Sequence, residues 1–427
     1  MELQGLSTDQ APPFSVPIRF FLTAPLFGIL AGFIIFFSDV NVLINRYSLE
    51  SIVVTHLLTI GFLGFVMLGS LTQMLPVLAG AKIPKAQNIS MTSYIFLIVG
   101  CLSMFYGLLG DSTLFITISF LTLGSGFLLI LSAIAIGIKG VSNFTSTVKG
   151  MSVSVGFAFS IVFMGLYLLY GHLSNDITAL HLLVSNIHSV WAIFGFAGIL
   201  IISVSFQVLP MFYVAPKFKS FCKNRVVYII FIGLILWLLL NIFLPEYAFL
   251  AKIWLALFFL AFATTVWIKF NKRRRPISDV TVWYWRSASI FLALGVFLWI
   301  TDEYFKHEYI VMVAILIGGG FILSIMIGML YKIVPFLVWF HLNAKGYMSI
   351  PTMVEMIDKR LAKIQFLSFL LSIIGFIFSF YYSDFLKPSA LFFIISMVIL
   401  QYNVIQPIQL YRKTKKTKPD FDMSMFQ

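Results

Sequence analysis

The sequence predicts an all-α, multi-pass membrane protein with about twelve transmembrane helices in three related groups of four. Composition, the number of apolar segments and a recurring motif support this prediction. Of the 427 residues, 60% are hydrophobic and only 11% are charged, whereas soluble domains carry roughly 25% charged residues. The mean hydropathy is +1.00. Such a composition leaves no room for a large soluble domain, so we expect one integral membrane domain over residues 1–427.

Twelve apolar segments are long enough to cross a bilayer, which takes roughly 20 helical residues. We predict them at residues 18–38, 52–78, 91–110, 113–138, 151–170, 180–210, 226–244, 247–268, 282–300, 309–338, 361–382 and 386–410. We number these spans 1 to 12 in chain order. Several exceed the minimum length, so we expect them to be tilted or to project beyond the bilayer.

The distribution of charge predicts the orientation of the spans. Most Lys and Arg residues follow the even-numbered spans, as at residues 82–85, 217–225, 272–275 and 412–418, whereas the opposite loops are mainly acidic. The positive-inside rule therefore predicts a cytoplasmic N-terminal segment, 1–17, and a basic cytoplasmic tail, 411–427. No cleavable signal peptide is evident. The net charge of +13 thus indicates membrane orientation, and we expect the lipid bilayer, not nucleic acid, as the partner.

A short motif recurs near the inner ends of spans 2, 6 and 10. Gln73-Met74-Leu75-Pro76 returns as Gln207-Val208-Leu209-Pro210 and, more loosely, as Lys332-Ile333-Val334-Pro335, with spacings of 134 and 125 residues. A small residue precedes each proline by seven positions, namely Gly69, Ser203 and Gly328. Each motif falls in the second span of a group of four, which predicts a threefold repeat. Gln73, Gln207 and Lys332 belong either to a structural helix-end motif or to a polar pathway.

Three histidines in apolar spans are the candidate cofactor ligands. His56 lies near the outer end of span 2, and His181 and His188 lie seven residues apart in the outer half of span 6. Imidazole ligates haem iron, copper and zinc, so spacing alone does not choose the group, and a structural role stays open. The sequence identifies no catalytic residue. It contains no Cys-x-x-Cys-His, phosphate-binding loop or His-Glu-x-x-His motif, and the absence of mid-span carboxylates argues against a carboxylate-driven transporter.

Twelve spans in three groups, with a histidine in the outer part of span 2, resemble subunit I of the haem-copper oxidase superfamily. That resemblance implies a haem ligand at His56 and a copper ligand at His181 or His188. However, span 7 has no histidine pair and span 10 has no His-x-His, so we do not expect the usual oxygen-reducing binuclear centre.

The chain also resembles the NnrS family of haem- and copper-containing membrane proteins linked to nitric oxide stress. The resemblance rests on Pro17-Ile18-Arg19-Phe20-Phe21 and on His56-Leu57-Leu58-Thr59-Ile60-Gly61-Phe62. Members of that family show a His-x-His-Glu-Met run where this chain has a single histidine.

These observations lead to one principal functional expectation. The chain is predicted to be a non-pumping protein of a bacterial inner membrane that binds haem b, with copper as a less favoured ligand. Its role would lie in respiration, redox chemistry or nitric oxide handling, with respiratory subunits or a cytochrome as partners. The absence of the usual binuclear-centre ligands from spans 7 and 10 argues against an enzyme. Two alternatives stay open: a transporter or small-molecule binding protein on the same scaffold, and an assembly or structural partner of a respiratory complex.

Overall fold

The computed structural model describes residues 11–274, 278–305 and 308–421, and all regular structure within these ranges is helical. Twelve of the described helices are long and apolar enough to cross a membrane, which confirms the prediction of an all-α, multi-pass membrane protein. They are α1 (Ser15–Phe37), α2 (Leu49–Ala79), α3 (Ala86–Leu109), α4 (Thr113–Lys139), α5 (Ser146–Ser174), α6 (Ala179–Tyr213), α7 (Ser220–Phe243), α8 (Ala248–Asn271), α9 (Val280–Thr301), α10 (Ile310–Asn343), α11 (Lys359–Phe378) and α12 (Leu386–Thr414). A short helix, Val40–Leu43, and 3₁₀ turns at Pro245–Tyr247 and Ser383–Phe385 lie in the connections.

Side-chain caps begin several of these helices where the sequence offers a polar residue. The Ser48 hydroxyl accepts a hydrogen bond from Ser51 N at the start of α2, and Thr178 accepts one from His181 N at the start of α6. The Asp358 carboxylate accepts from Arg360 N and Leu361 N, which belong to the second and third residues of α11. Such caps satisfy backbone donors that have no partner within the helix.

Prolines lie inside α2, α6 and α10 rather than at their ends. α2 and α6 continue three residues beyond Pro76 and Pro210, but α10 continues eight residues beyond Pro335. The helix-end interpretation is therefore wrong for α10. Beyond Pro335, α10 contributes Val338 and Leu342 to a buried apolar cluster. Burial of these side chains stabilises the extra helical turns, although proline weakens the backbone hydrogen bonding.

Within the described residues the chain forms two compact units. The first is built mainly from residues 71–277 and 286–322, and the second from residues 13–70, 278–285 and 323–427. Small residues allow close helix packing in both. In the first unit, the Ser119 hydroxyl of α4 donates to the Gly100 carbonyl of α3 at 2.9 Å. In the second, a Cβ atom on Gly28 of α1 would lie 2.8 Å from Met397 Sδ of α12.

Three helices change from α- to π-helical winding in their N-terminal halves. The π-helical segments are Leu57–Gly64 in α2, Trp191–Gly198 in α6 and Ile315–Leu323 in α10. Each ends twelve residues before the proline of its helix. Winding of this kind is rare and is found mostly as short insertions, frequently at functional sites.

Each π-helical segment holds a Gly-Phe pair whose glycine packs against a phenylalanine of the preceding helix. A Cβ on Gly61 would lie 2.7 Å from Phe27 Cβ, one on Gly195 would lie 2.7 Å from the Phe157 ring, and one on Gly320 would lie 2.7 Å from Phe291 Cβ. These glycines therefore serve close helix packing, and added side chains would clash there.

A second close contact accompanies each of these three. Gly69 packs against Phe20 and Phe21, Ser203 against Gly150, and Gly328 against Tyr284. The two contact points are eight residues apart on α2, α6 and α10, and seven residues apart on α1, α5 and α9. The helix pairs α1–α2, α5–α6 and α9–α10 thus use the same spacing of contacts.

The tail beyond α12 folds back within the second unit. The Tyr347 hydroxyl donates to the Thr417 carbonyl at 3.0 Å, and the Asp420 carboxylate accepts from Met348 N at 2.7 Å and Ser349 N at 2.8 Å. These backbone hydrogen bonds hold the pKa of Asp420 below its usual value. The described part of the predicted basic tail is therefore docked against the connection between α10 and α11.

Candidate functional site

His56 is the last residue of α2 before its π-helical segment. Its Nδ1 lies 2.7 Å from the carbonyl oxygen of Ile52, one helical turn earlier. When Nδ1 donates this hydrogen bond, the lone pair of the neutral imidazole lies on Nε2. A carbonyl that holds one ring nitrogen in this way fixes the tautomer and orientation of a ligating histidine. This hydrogen bond therefore fixes the orientation of the His56 ring, and Nε2 is the atom through which His56 could hold a metal.

His181 and His188 both pack against glycines of α5 in the first unit. A Cβ on Gly171 would lie 2.5 Å from His181 Nδ1, and one on Gly165 would lie 3.2 Å from His188 Cε1. The structure brings His181 next to His172, with 5.7 Å between the ring centroids. Pairing of either histidine with His56, which belongs to the second unit, stays a prediction.

Aligning α2 and α6 on their glycine contacts places Val190 of α6 level with His56. Gly61 and Gly195 make equivalent contacts, and the same offset of 134 residues relates His56 to Val190. His188 lies two residues from this position, which places it on a different face of the helix. In this alignment His56 and His188 do not occupy the same position.

The described residues contain no group of three or more His, Cys, Asp or Glu side chains that could hold a metal ion. Cys101 is buried, and Cys222 is an exposed thiol in the first turn of α7. His307 lies outside the described residues.

The polar residues before the three prolines have different surroundings. Gln73 is 3% exposed, and no described residue lies within hydrogen-bonding distance of either of its buried amide atoms. Gln207 is half-buried. Lys332 pairs with Asp279, which precedes α9 in the second unit. Equivalent positions in the motif therefore do not imply equivalent interactions.

The second unit contains a buried polar network that the sequence analysis missed. Gln365 of α11 accepts hydrogen bonds through Oε1 from Tyr284 at 2.6 Å and Tyr331 at 3.2 Å, and its Nε2 donates to Ser396 at 2.8 Å. Asn403 of α12 donates to the Tyr331 hydroxyl at 3.1 Å. Because each helix contributes only one or two of these groups, no local pattern in the sequence reveals the network.

The Asp279–Lys332 pair adjoins this network in the chain, since Lys332 follows Tyr331. Burial opposes ionisation of Asp279, but the Lys332 ammonium and hydrogen bonds from Thr281 and Val282 N outweigh that effect. Together they lower the pKa of the carboxyl. The side chains of Asp279 and Lys332 remain 34% and 13% exposed, which places the pair at the boundary of the buried region.

The lowered pKa of Asp279 predicts a pH dependence of stability. A carboxyl with a depressed folded-state pKa stabilises the fold above its unfolded pKa of about 4, and this contribution disappears as the pH falls through the lower folded-state value. We expect Asp279→Asn to cost about 1 kcal/mol at neutral pH, the range of a partly exposed pair. The loss should shrink on acidification, and thermal unfolding in detergent across this pH range measures it. Asp279→Asn/Lys332→Gln, which leaves no lone charge, should be less destabilised; an equal loss at every pH would contradict the assignment.

A second ion pair, in the first unit, joins α8 to the connection after α9 and was also missed. Lys252 in α8 is 6% exposed, and its Nζ lies 2.9 Å from Glu303 Oε2 and 5.3 Å from the centroid of Trp299. A cation inside an apolar span is costly unless it is paired. The lone lysine in span 8 is therefore a sequence signal that could have predicted a partner.

Comparison with known proteins adds no family assignment. No protein-family model matches the chain, and no characterised protein is detectably similar in sequence.

Proposed function

We propose that this protein is a haem-binding, non-pumping membrane protein of a bacterial inner membrane, with His56 as an axial ligand. The observation that carries the proposal is the hydrogen bond between His56 Nδ1 and the Ile52 carbonyl at 2.7 Å, immediately before a π-helical segment. Haem b, when bound, supplies one-electron redox chemistry and binding of diatomic gases. Ile52 would orient the imidazole through the hydrogen bond that its carbonyl accepts from Nδ1.

The non-pumping part of the proposal rests on the distribution of carboxylates. Every described Asp and Glu lies in a connection or within a turn of a helix end. Proton-coupled membrane proteins use ionisable groups within their spans. We therefore propose a role in electron transfer or nitric oxide physiology rather than ion translocation, and the chain need not be an enzyme itself.

We further infer that α1–α4, α5–α8 and α9–α12 are three copies of one four-helix repeat. The supporting observation is the repeated spacing of the two close contacts in α1–α2, α5–α6 and α9–α10. The recurring π-helical segments before Pro76, Pro210 and Pro335 support the same inference. Under this proposal, His56 is a feature of the first copy only, because Val190 and Ile315 occupy its position in the others.

The test is an absorption spectrum of the intact protein purified from haem-supplemented cells, oxidised and reduced. We expect Soret and α bands, and we expect His56→Ala to lower the haem content at least about tenfold, as loss of a metal-site residue does. His341→Ala serves as the matched control and should retain haem. His341 lies in the last turn of α10, whereas His56 lies in the N-terminal half of α2. A stable, monodisperse wild-type protein without haem would overturn the proposal, as would full haem content in His56→Ala.

The buried network of α9–α12 favours a second candidate, the binding or transport of a small polar molecule. Gln365, Ser396 and Asn403 are fully buried, and buried polar groups in membrane helices commonly mark substrate or ion pathways. The same spectrum separates the two candidates, because only the first requires haem bands. A haem-free protein that folds normally would favour this second function.

A further inference from the structure

The end of the first unit that carries the α6–α7 connection has an unusually basic surface. We define the basic surface by eight residues: Lys217, Lys219, Lys223, Arg225, Lys269, Lys272, Arg273 and Arg274. The segments 214–225 and 269–274 contain no Asp or Glu. No acidic side chain within either segment therefore offsets the positive charge. All eight basic side chains are exposed or half-exposed.

Two polar contacts join the segments into one surface. Lys269 Nζ, near the end of α8, donates to the carbonyl oxygens of Pro216 at 2.9 Å and Lys217 at 3.1 Å. It also lies 4.2 Å from the centroid of the Phe218 ring. Arg274 N donates to the Val214 carbonyl at 3.2 Å. The chain after α6 is therefore held against the end of α8, which brings the two basic segments together.

Membrane orientation alone does not require this density of charge. The connection at residues 80–85 has only two lysines, and the one at residues 140–145 has no charged residue. Residues 344–358 carry one lysine against one glutamate and one aspartate. The basic surface thus carries more cations than these other connections on the same predicted side.

An aromatic side chain at the same place indicates contact with lipid. Phe221, in the first turn of α7, is 64% exposed, and the Arg225 guanidinium lies 4.9 Å from its ring centroid. Exposed aromatic residues beside Lys and Arg are typical of the headgroup region of a bilayer. Basic surfaces at the ends of membrane helices bind the phosphates of acidic lipids.

We propose that the basic surface binds the headgroups of anionic phospholipids. The cations would pair with the lipid phosphates, while Phe221 would lie among the upper acyl carbons. This inference does not depend on haem binding, since it uses other residues and a different ligand.

Cys222 provides a probe at the centre of this surface in the unmodified protein. It is exposed, whereas Cys101, the other cysteine, is buried. The experiment measures the rate at which N-ethylmaleimide, a neutral reagent, modifies Cys222 in nanodiscs. One set of nanodiscs contains phosphatidylcholine alone, and the other contains equal parts of phosphatidylcholine and phosphatidylglycerol. We expect phosphatidylglycerol to slow labelling about tenfold at low salt and much less at high salt.

Two variants with the same loss of charge separate local binding from general surface potential. The first combines Lys217→Gln, Lys219→Gln, Lys223→Gln and Arg225→Gln, and it should lose most of the lipid-dependent protection. The second combines Arg412→Gln, Lys413→Gln, Lys415→Gln and Lys416→Gln in the second unit, and it should keep that protection. Equal protection in both variants would overturn the proposal.

Two further measurements keep the test decisive if the first variant folds poorly. In the first, wild-type protein in neutral detergent is labelled with inorganic phosphate present. Protection of Cys222 equal to that in phosphatidylglycerol nanodiscs would show that the basic surface binds a soluble anion and not specifically a lipid. Native mass spectrometry of the wild type counts retained lipids, which should be mainly phosphatidylglycerol when both lipids are offered. Retention without preference for the anionic lipid would contradict the proposal.

Discussion

Gly150→Ala is expected to lower the free energy of unfolding by about 3 kcal/mol, at the upper end for an overpacked core. A Cβ atom at this position of α5 would overlap both Oγ and Cβ of Ser203 in α6. Rotation of the serine side chain relieves only the hydroxyl clash, because the Cβ atom is fixed to the backbone. The Ser203 hydroxyl also donates to the Ile199 carbonyl at 2.6 Å, which holds it in place. Thermal unfolding in detergent and the yield of monodisperse protein measure the effect.

The same helix pair supplies two controls for this prediction. Gly156, also in α5, has no neighbouring atom within 4 Å of the position a Cβ would take. Gly156→Ala should therefore be neutral or stabilise by up to about 1 kcal/mol through helix propensity. Gly150→Ala/Ser203→Gly moves the larger residue to the other helix and should recover much of the loss. Similar stability of Gly150→Ala and Gly156→Ala would show that the close contact is not required.

Gln365→Leu is expected to cost about 2 kcal/mol, because it removes the central acceptor and donor of the buried network. The substitution deletes the acceptor for Tyr284 and Tyr331 and the donor to Ser396. Polar groups left in an apolar interior lose more than the hydrogen bond itself contributes. Unfolding temperature in detergent reports the loss, and we expect a less cooperative transition in the second unit.

Gln73→Leu is the matched control for the network. Gln73 is also buried, at 3% exposure, but no described residue bonds its amide. Its replacement should be neutral or stabilising, because an unsatisfied buried amide is removed. Gln365→Leu/Tyr284→Phe should be less destabilised than Gln365→Leu, since one lone hydroxyl is also removed. Equal effects of Gln365→Leu and Gln73→Leu would argue against a stabilising network.

The sequence predicted the number and order of the membrane helices because length and apolarity are local properties. It placed span 2 at residues 52–78, and the structure has α2 at Leu49–Ala79. It ended span 10 at residue 338 and did not predict the last five residues of α10, 339–343, since these depend on Leu342 packing with residues distant in the chain. Side chains that pack across helices therefore decided a boundary that proline alone would have placed earlier.

For the candidate site, the sequence predicted individual residues but not their neighbours. A histidine or lysine in an apolar span is conspicuous, so His56, His181, His188 and Lys332 could be selected directly. The acceptor at Ile52 follows from helical spacing only once the ring orientation is known. The partner of Lys332 is Asp279, 53 residues earlier, and no local pattern relates them.

The recurring motif that ends in Pro76, Pro210 and Pro335 has some properties that follow from the sequence and others that depend on the tertiary structure. The sequence by itself determined that this is a twelve-helix membrane protein with a motif repeated in α2, α6 and α10, because hydropathy and spacing are written along the chain. Only the tertiary structure decided that the glycines before these prolines contact Phe27, Phe157 and Phe291. It also decided that Gln73, Gln207 and Lys332 have unlike surroundings. Contacts between helices depend on distance in space, and residues far apart in the chain supply them.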